Sequence, residues 1–195
     1  MSLSKIKYRI VAINGSVRYR NFTLKVLSLV IDELKKNKAI GVDLIKLTEN
    51  ELVRLAKSDK IYAASIQKLV QQATGIILAT PEYHGSFSGA VKLVIDNLGF
   101  PSVLAGKPVA LLGVASGQIG AIKALEHLRS VCSHVGSIVL PSPVSVPNVT
   151  DMFDKKGRCL DKKMEARIRG LAHGLIHYIE ENICPRKILE KHVIK

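Results

Sequence analysis

The stretch Gly75-Ile76-Ile77-Leu78-Ala79-Thr80-Pro81-Glu82-Tyr83-His84-Gly85-Ser86 decides the fold. Its first five residues form a short, mostly apolar run suited to a strand buried on both faces. Directly afterwards Ala90, Val91, Val94, Ile95 and Leu98 recur at helical spacing. The same arrangement occurs near the start of the chain. There Arg9-Ile10-Val11-Ala12-Ile13-Asn14 leads through Gly15-Ser16-Val17-Arg18-Tyr19-Arg20-Asn21-Phe22-Thr23 into Phe22, Val26, Leu27, Val30, Ile31 and Leu34 on one helical face. In an open parallel sheet each of these loops lies at the carboxyl end of a strand. Two such loops flanking a reversal of strand order form the crevice in which ligands bind.

The first loop carries the chemistry of a phosphate cradle. Gly15 permits a tight turn, while Ser16, Asn21 and Thr23 place short hydrogen-bonding side chains beside the unpaired N–H groups of a helix start. Arg18 adds a planar cation that can grip phosphate oxygens through two parallel bonds, and the helix dipole favours the same negative charge. An ordinary capped helix with a solvated arginine is the plain alternative. A P-loop would end in Gly-Lys-Ser/Thr and a dinucleotide fingerprint needs three glycines, so both are excluded. In the second loop Pro81 fixes the chain's exit from the strand, and Gly85 and Gly89 let backbone amides approach the edge of a flat ring. A third loop, Ala115-Ser116-Gly117-Gln118-Ile119-Gly120-Ala121, follows the strand-like Val109–Val114 run and adds a small, backbone-rich wall.

Strands are predicted near residues 7–13, 41–46, 75–80, 108–115 and 137–141, alternating with helices. This pattern calls for a three-layer α/β fold, a five-stranded parallel sheet in the order 2-1-3-4-5 with helices on both faces. Leu140-Pro141-Ser142-Pro143-Val144-Ser145-Val146-Pro147 reads as an extended connector, and a last helix over about Lys162 to Asn182 buries Met164, Ile168, Leu171, Leu175 and Ile179. The 195 residues form one expected domain ending in a basic tail from about residue 184 to 195. A chain of this length buries about 70% of its unfolded surface and needs neither disulfide nor metal to fold.

Cys132, Cys159 and Cys184 lie far apart, an odd, scattered set expected to be reduced thiols in a cytoplasmic compartment. No apolar stretch reaches the length of a membrane span, and no signal-peptide core opens the chain. The net charge of +13 gathers at the two ends: residues 1–40 hold nine basic and two acidic residues, residues 155–195 eleven and five. Such a field steers anionic ligands. Nucleic acid is not the expected partner, because aromatics make up only 5% of the chain and none interleave with basic residues in a known motif. His173 and His177 stand four apart but lack the glutamate of a zinc-protease helix, so no metal site is expected. Ser116 lacks the first glycine of a nucleophile elbow, with Val114 in its place, and Glu82 reads as a capping or exposed carboxylate rather than a base. No catalytic side chain is assigned.

Gly15-Ser16-x-Arg18-x-x-Asn21-Phe22-Thr23, then Thr80-Pro81-Glu82-Tyr83-His84-Gly85-Ser86 with Gly89-x-x-Lys92-x-x-Ile95-Asp96, then Ser116-Gly117-x-x-Gly120 with His127-Leu128-Arg129, together resemble the NADPH-dependent FMN reductase family, which includes quinone, chromate and azo-dye reductases. The resemblance implies a flavodoxin-like sheet holding FMN, with NADPH or NADH as electron donor and a small molecule as acceptor: a flavin, quinone, azo dye or metal oxyanion. It implies that Ser16, Arg18, Asn21, Phe22 and Thr23 surround the FMN phosphate. Pro81, Glu82, Tyr83, His84 and Gly85 would line the isoalloxazine, with Ser116 and Gly117 closing the far side. It also implies a homodimer or homotetramer, for which the Val91, Val94, Ile95 and Leu98 stripe serves as well as it serves a core. Two departures stand out: His84 replaces the asparagine common in the family, and Thr48–Lys57 lacks the family's proline and aromatic residue. A flavodoxin-like electron carrier without NAD(P)H turnover, and a relative that has lost FMN, are the alternatives.

Overall fold

The computed structural model describes residues 7–186. Strand β1 (Tyr8–Asn14) lies at the centre of the sheet between β2 (Ile40–Lys46) and β3 (Gly75–Tyr83), parallel to both, and β5 (Pro108–Val114) pairs parallel with β3. The main path runs β2-β1-β3-β5 and ends on β6 (Ile138–Val139), which is the predicted 2-1-3-4-5 order. The fifth position is divided. Two short strands, β6 and β7 (Val144–Val146), pair in turn with the beginning and end of β5. Pro141 and Pro143, which lack N–H donors, occupy the gap. The stretch expected to be only a connector is therefore partly sheet.

Side-chain alternation along the strands separates two cores. Ile10, Ala12, Ile77, Ala79, Ala110 and Leu112 point to a face covered by α1 (Phe22–Lys35) and α6 (Lys162–Tyr178), which continues as a π-helical turn over Ile179–Ile183. Val11, Ile13, Ile76, Leu78, Val109 and Leu111 point to the other face. That face is covered by α3 (Lys60–Gln72), α4 (Gly89–Asp96) and α5 (Ile122–His134). A short helix, α2 (Glu49–Ala56), precedes α3, so two helices stand where one was expected. Thr48 and Glu51 close a reciprocal capping box at its start, and Asp59 caps α3, which splits the crossover.

Val91, Val94, Ile95 and Leu98 are buried in the second core, which accounts fully for their helical stripe. An interface role for that stripe is thereby corrected. Of the expected C-terminal tail, residues 184–186 continue the last helix, and residues 187–195 lie outside the described residues.

Candidate functional site

β1, β3 and β5 end side by side, and the loops that follow them are tied together by side chains. Ser88 makes the tightest connection. Its hydroxyl donates to the Gly15 carbonyl at 2.6 Å and accepts from the Val91 N–H at the start of α4. Gly15 itself must be glycine, because a Cβ there would stand 2.3 Å from Val91 Cγ2 and 2.6 Å from the Ala79 carbonyl oxygen.

In the first loop Asn21 caps α1, its Oδ1 accepting from the Leu24 N–H at 2.8 Å. Its Nδ2 donates to the Ser16 carbonyl, to which Asn14 Nδ2 also donates at 2.7 Å. Both lone pairs of an oxygen that would repel an anion are thus engaged. The N–H groups of Val17, Tyr19, Arg20 and Asn21 have no acceptor among the described residues, and the first turn of α1 holds no acidic residue. The loop presents donors and positive potential without a counter-charge of its own.

The second loop is a hairpin. β3 turns through His84 and Gly85 into β4 (Ser86–Phe87), with Tyr83 opposite Ser86. Both turn residues have positive φ, 50° and 75°, the conformation of a two-residue primed turn. His84 is exposed at the tip. Residues at such positions are mostly Gly, Asn, Asp or His, which gives the departure from asparagine a backbone explanation. Glu82 Oε2 accepts from the Ala124 N–H at 2.9 Å, so this carboxylate caps α5, whose own N-cap residue, Ala121, supplies no side-chain bond. Across the cleft the Arg18 guanidinium stacks on the Tyr83 ring, 4.3 Å from its centroid. The stack uses the flat face of the guanidinium and leaves its N–H edge available.

The third loop is held from behind. Val149 N–H donates to the Ala115 carbonyl and Asn148 N–H to the Gly117 carbonyl, both from the segment following β7. Gly117 has no positive φ, and a Cβ there would meet nothing within 4 Å. Neither backbone conformation nor packing within the chain calls for glycine at this point.

Ser16, Arg18, Phe22, Thr23, Pro81, Glu82, Tyr83 and Ser116 line one cleft together with Arg20, Val114, Ala115 and Val149. Of the remaining expected site residues, Asn21 sits behind the first loop as a cap, while His84, Gly85 and Gly117 stand outside the cleft lining. Ser88, Arg20 and Val149 also belong to the site, beyond the residues expected from the sequence. A serine just before a helical run signals the first. Arg20, two residues from Arg18, offered a local signal for a second cation. Nothing local marks Val149, which reaches the cleft only through the β5–β7 pairing. Among the described residues no group of His, Cys, Asp and Glu can hold a metal ion, and no helix is long and apolar enough to cross a membrane.

A family model described as NADPH-dependent FMN reductase matches residues 8–151. An NADPH azoreductase of Bacillus sp. strain OY1-2 is 32% identical over 137 residues, covering 70% of this chain and 75% of that protein. An NAD(P)H-dependent FMN reductase of Pseudomonas aeruginosa is 28% identical over 171 residues, covering 83% and 89%. Among solved structures, a flavoenzyme NAD(P)H:(acceptor) oxidoreductase from Paracoccus denitrificans superposes with a TM-score of 0.73 at 20% identity, covering 89% of this chain and 98% of that one. An oxidoreductase from Corynebacterium diphtheriae gives 0.74 at 19%, covering 91% and 100%. At these identities the structures speak for the fold.

Proposed function

The chain belongs to the NADPH-dependent FMN reductase family, a flavoenzyme with NAD(P)H as electron donor, and we propose that the cleft between its three loops is where FMN is held and a small acceptor is reduced. The observation that carries this reading is the first loop, whose unengaged N–H groups adjoin the two arginines of the cleft and no free carboxylate.

The residues fit the group. Ser16, Thr23, the Arg18 side chain and the amides of Val17, Tyr19, Arg20 and Asn21 supply the donor set that a phosphate dianion requires, at a helix N-terminus whose dipole favours negative charge. Pro81, Glu82 and Tyr83 present the hairpin to the ring, and Ser116 forms the opposite wall, with Gly117 next to it beyond the lining. A glycine at 117 keeps that wall low enough for close approach of a flat ligand. FMN, when bound, supplies the chemistry itself: it accepts a hydride from the nicotinamide and passes the electrons on. The protein's part is position, potential and shape. Glu82 is occupied by α5 and is not a base for the reaction, while Arg18 and Arg20 favour the negative charge carried by both the cofactor and its donor.

The acceptor class follows from the relatives, one named an NADPH azoreductase and another a 2-hydroxy-1,4-benzoquinone reductase: planar, electron-poor small molecules such as quinones and azo dyes. A second copy of the chain, in a homodimer or homotetramer, would cover the exposed Ile119 and Ile122 beside the third loop. Free thiols at Cys132, Cys159 and Cys184 fit a cytoplasmic location. The test is the absorbance spectrum of the purified protein with a steady-state NADPH oxidation assay using a quinone acceptor. A flavin spectrum with turnover is expected; a flavin spectrum without turnover would indicate an electron carrier, and protein that cannot be loaded with FMN would refute the reading.

A further inference from the structure

On the other side of the first loop from the cleft lies a groove of about 810 Å³, bounded by the start of α1 and by the segment that follows β2. Arg18, Lys25 and Lys46 line it, with Thr48, Glu49 and Asn50 at its far rim. Arg18 belongs to both walls, so groove and cleft are continuous across a single side chain. Lys46 is the register partner of Asn14, which places it one strand spacing, about 4.8 Å, from the residue that opens the phosphate loop.

The cations of this groove are uncommitted. Among the described residues the Lys46 ammonium has no ion pair or hydrogen bond, and the Lys25 ammonium only lies over the Phe22 and Phe153 rings, at 5.1 and 5.9 Å. Lys92 and Lys123, by contrast, are held by Asp96 and Glu126. The carboxylate nearest in sequence beyond Glu49 is Glu51, and it is turned back to the Thr48 N–H at 2.6 Å. Two free ammonium groups and a shared guanidinium thus face one free carboxylate.

We propose that this groove receives the 2′-phosphate of NADPH, with Lys46 and Lys25 as the residues that favour NADPH over NADH. The inference rests on the reading of the cleft as the FMN site, to which the nicotinamide end of the same donor must reach. A phosphate monoester carries more charge than either phosphate of a pyrophosphate bridge, and an ammonium on a flexible stem meets it as a point charge with three donors. The groove lies two strand spacings, about 10 Å, from the strand that carries the hairpin, so one extended molecule can occupy both ends.

The test is equilibrium titration of the FMN-loaded protein, in which the cradle is filled, with adenosine 2′,5′-bisphosphate, 5′-AMP and inorganic phosphate. The bisphosphate is expected to bind about tenfold or more tightly than 5′-AMP, the gain of one hydrogen bond to a charged group. Lys46→Ala and Lys25→Ala should each remove most of that difference, and Lys46→Ala should lower the ratio of kcat/KM for NADPH to that for NADH by a similar factor. Equal binding of the bisphosphate and 5′-AMP would overturn the proposal, as would a preference that survives in both variants. Inorganic phosphate binding as tightly as the bisphosphate would also overturn it, by showing a general anion site. Because the titration needs no turnover, a protein that binds the bisphosphate through Lys46 yet oxidises neither nucleotide would uphold the groove and refute the reductase reading.

Discussion

Two glycines in the site perform different tasks, and the difference is measurable. Gly15 is enclosed by Val91 and the Ala79 carbonyl, so Gly15→Ala forces backbone or α4 to move and should cost about 1–3 kcal/mol of stability. Gly117 faces open space at an ordinary φ. Gly117→Ala should therefore leave thermal stability unchanged or slightly raised and weaken FMN binding instead. Thermal unfolding without added flavin and FMN titration of both variants separate the two; a Gly117→Ala protein that binds FMN normally would remove glycine's link to the ring. At this scale much was legible. Ser16, Arg18 and Thr23 follow from the chemistry of a strand-to-helix loop and Pro81 from the exit of the second strand, whereas Glu82 and Tyr83 were reached only through the family resemblance. The contact between Arg18 and Tyr83 was not, nor the bond from Ser88 to Gly15, because each joins residues more than sixty positions apart and only the tertiary fold brings them together.

At the scale of elements, the second loop is a hairpin whose turn demands positive φ at two successive residues. Only the glycine of that pair announces itself in the sequence. His84→Asn should keep both stability and FMN affinity, since asparagine is at home in the left-handed region. His84→Val should cost about 1–2 kcal/mol by forcing a β-branched residue into that conformation. Chemical denaturation of the two variants decides it, and a loss of FMN affinity in the asparagine variant would transfer the role from the turn to the imidazole. The divided fifth strand eluded the sequence for a related reason. Val144-Ser145-Val146 is too short to stand out beside Pro141, Pro143 and Pro147, and its pairing is supplied by β5. Ser145 still repays attention: its hydroxyl accepts from the Ala121 N–H at 2.8 Å and so steadies the start of α5.

Across the whole molecule, buried strands and two amphipathic helical layers were readable because parallel strands covered on both faces are apolar along their length. Burial also governs the thiols. Cys132 is enclosed in the second core, and burial pushes its thiol up to about 12; Cys159 is buried and raised as well, again by burial first. Both groups stay protonated at pH 8, so in the native protein a thiol reagent should modify the half-buried Cys184 before the other two, and all three cysteines only after unfolding. Raising the pH to 10 should not bring Cys132 into reaction, and rapid native modification of Cys132 would contradict its placement in the core. At the opposite end of the sheet, the loop from Ser16 to Thr23 is proposed as a cradle for the phosphate of FMN. The most direct measurement is equilibrium titration of the flavin-free protein with FMN and with riboflavin, which differ only in that phosphate, repeated for Arg18→Ala. The account predicts that FMN binds more tightly than riboflavin by about a hundredfold, and that Arg18→Ala weakens FMN by about 1.5–3 kcal/mol while barely affecting riboflavin. Equal affinity for the two flavins, or an Arg18→Ala protein that still prefers FMN to the same degree, would contradict it.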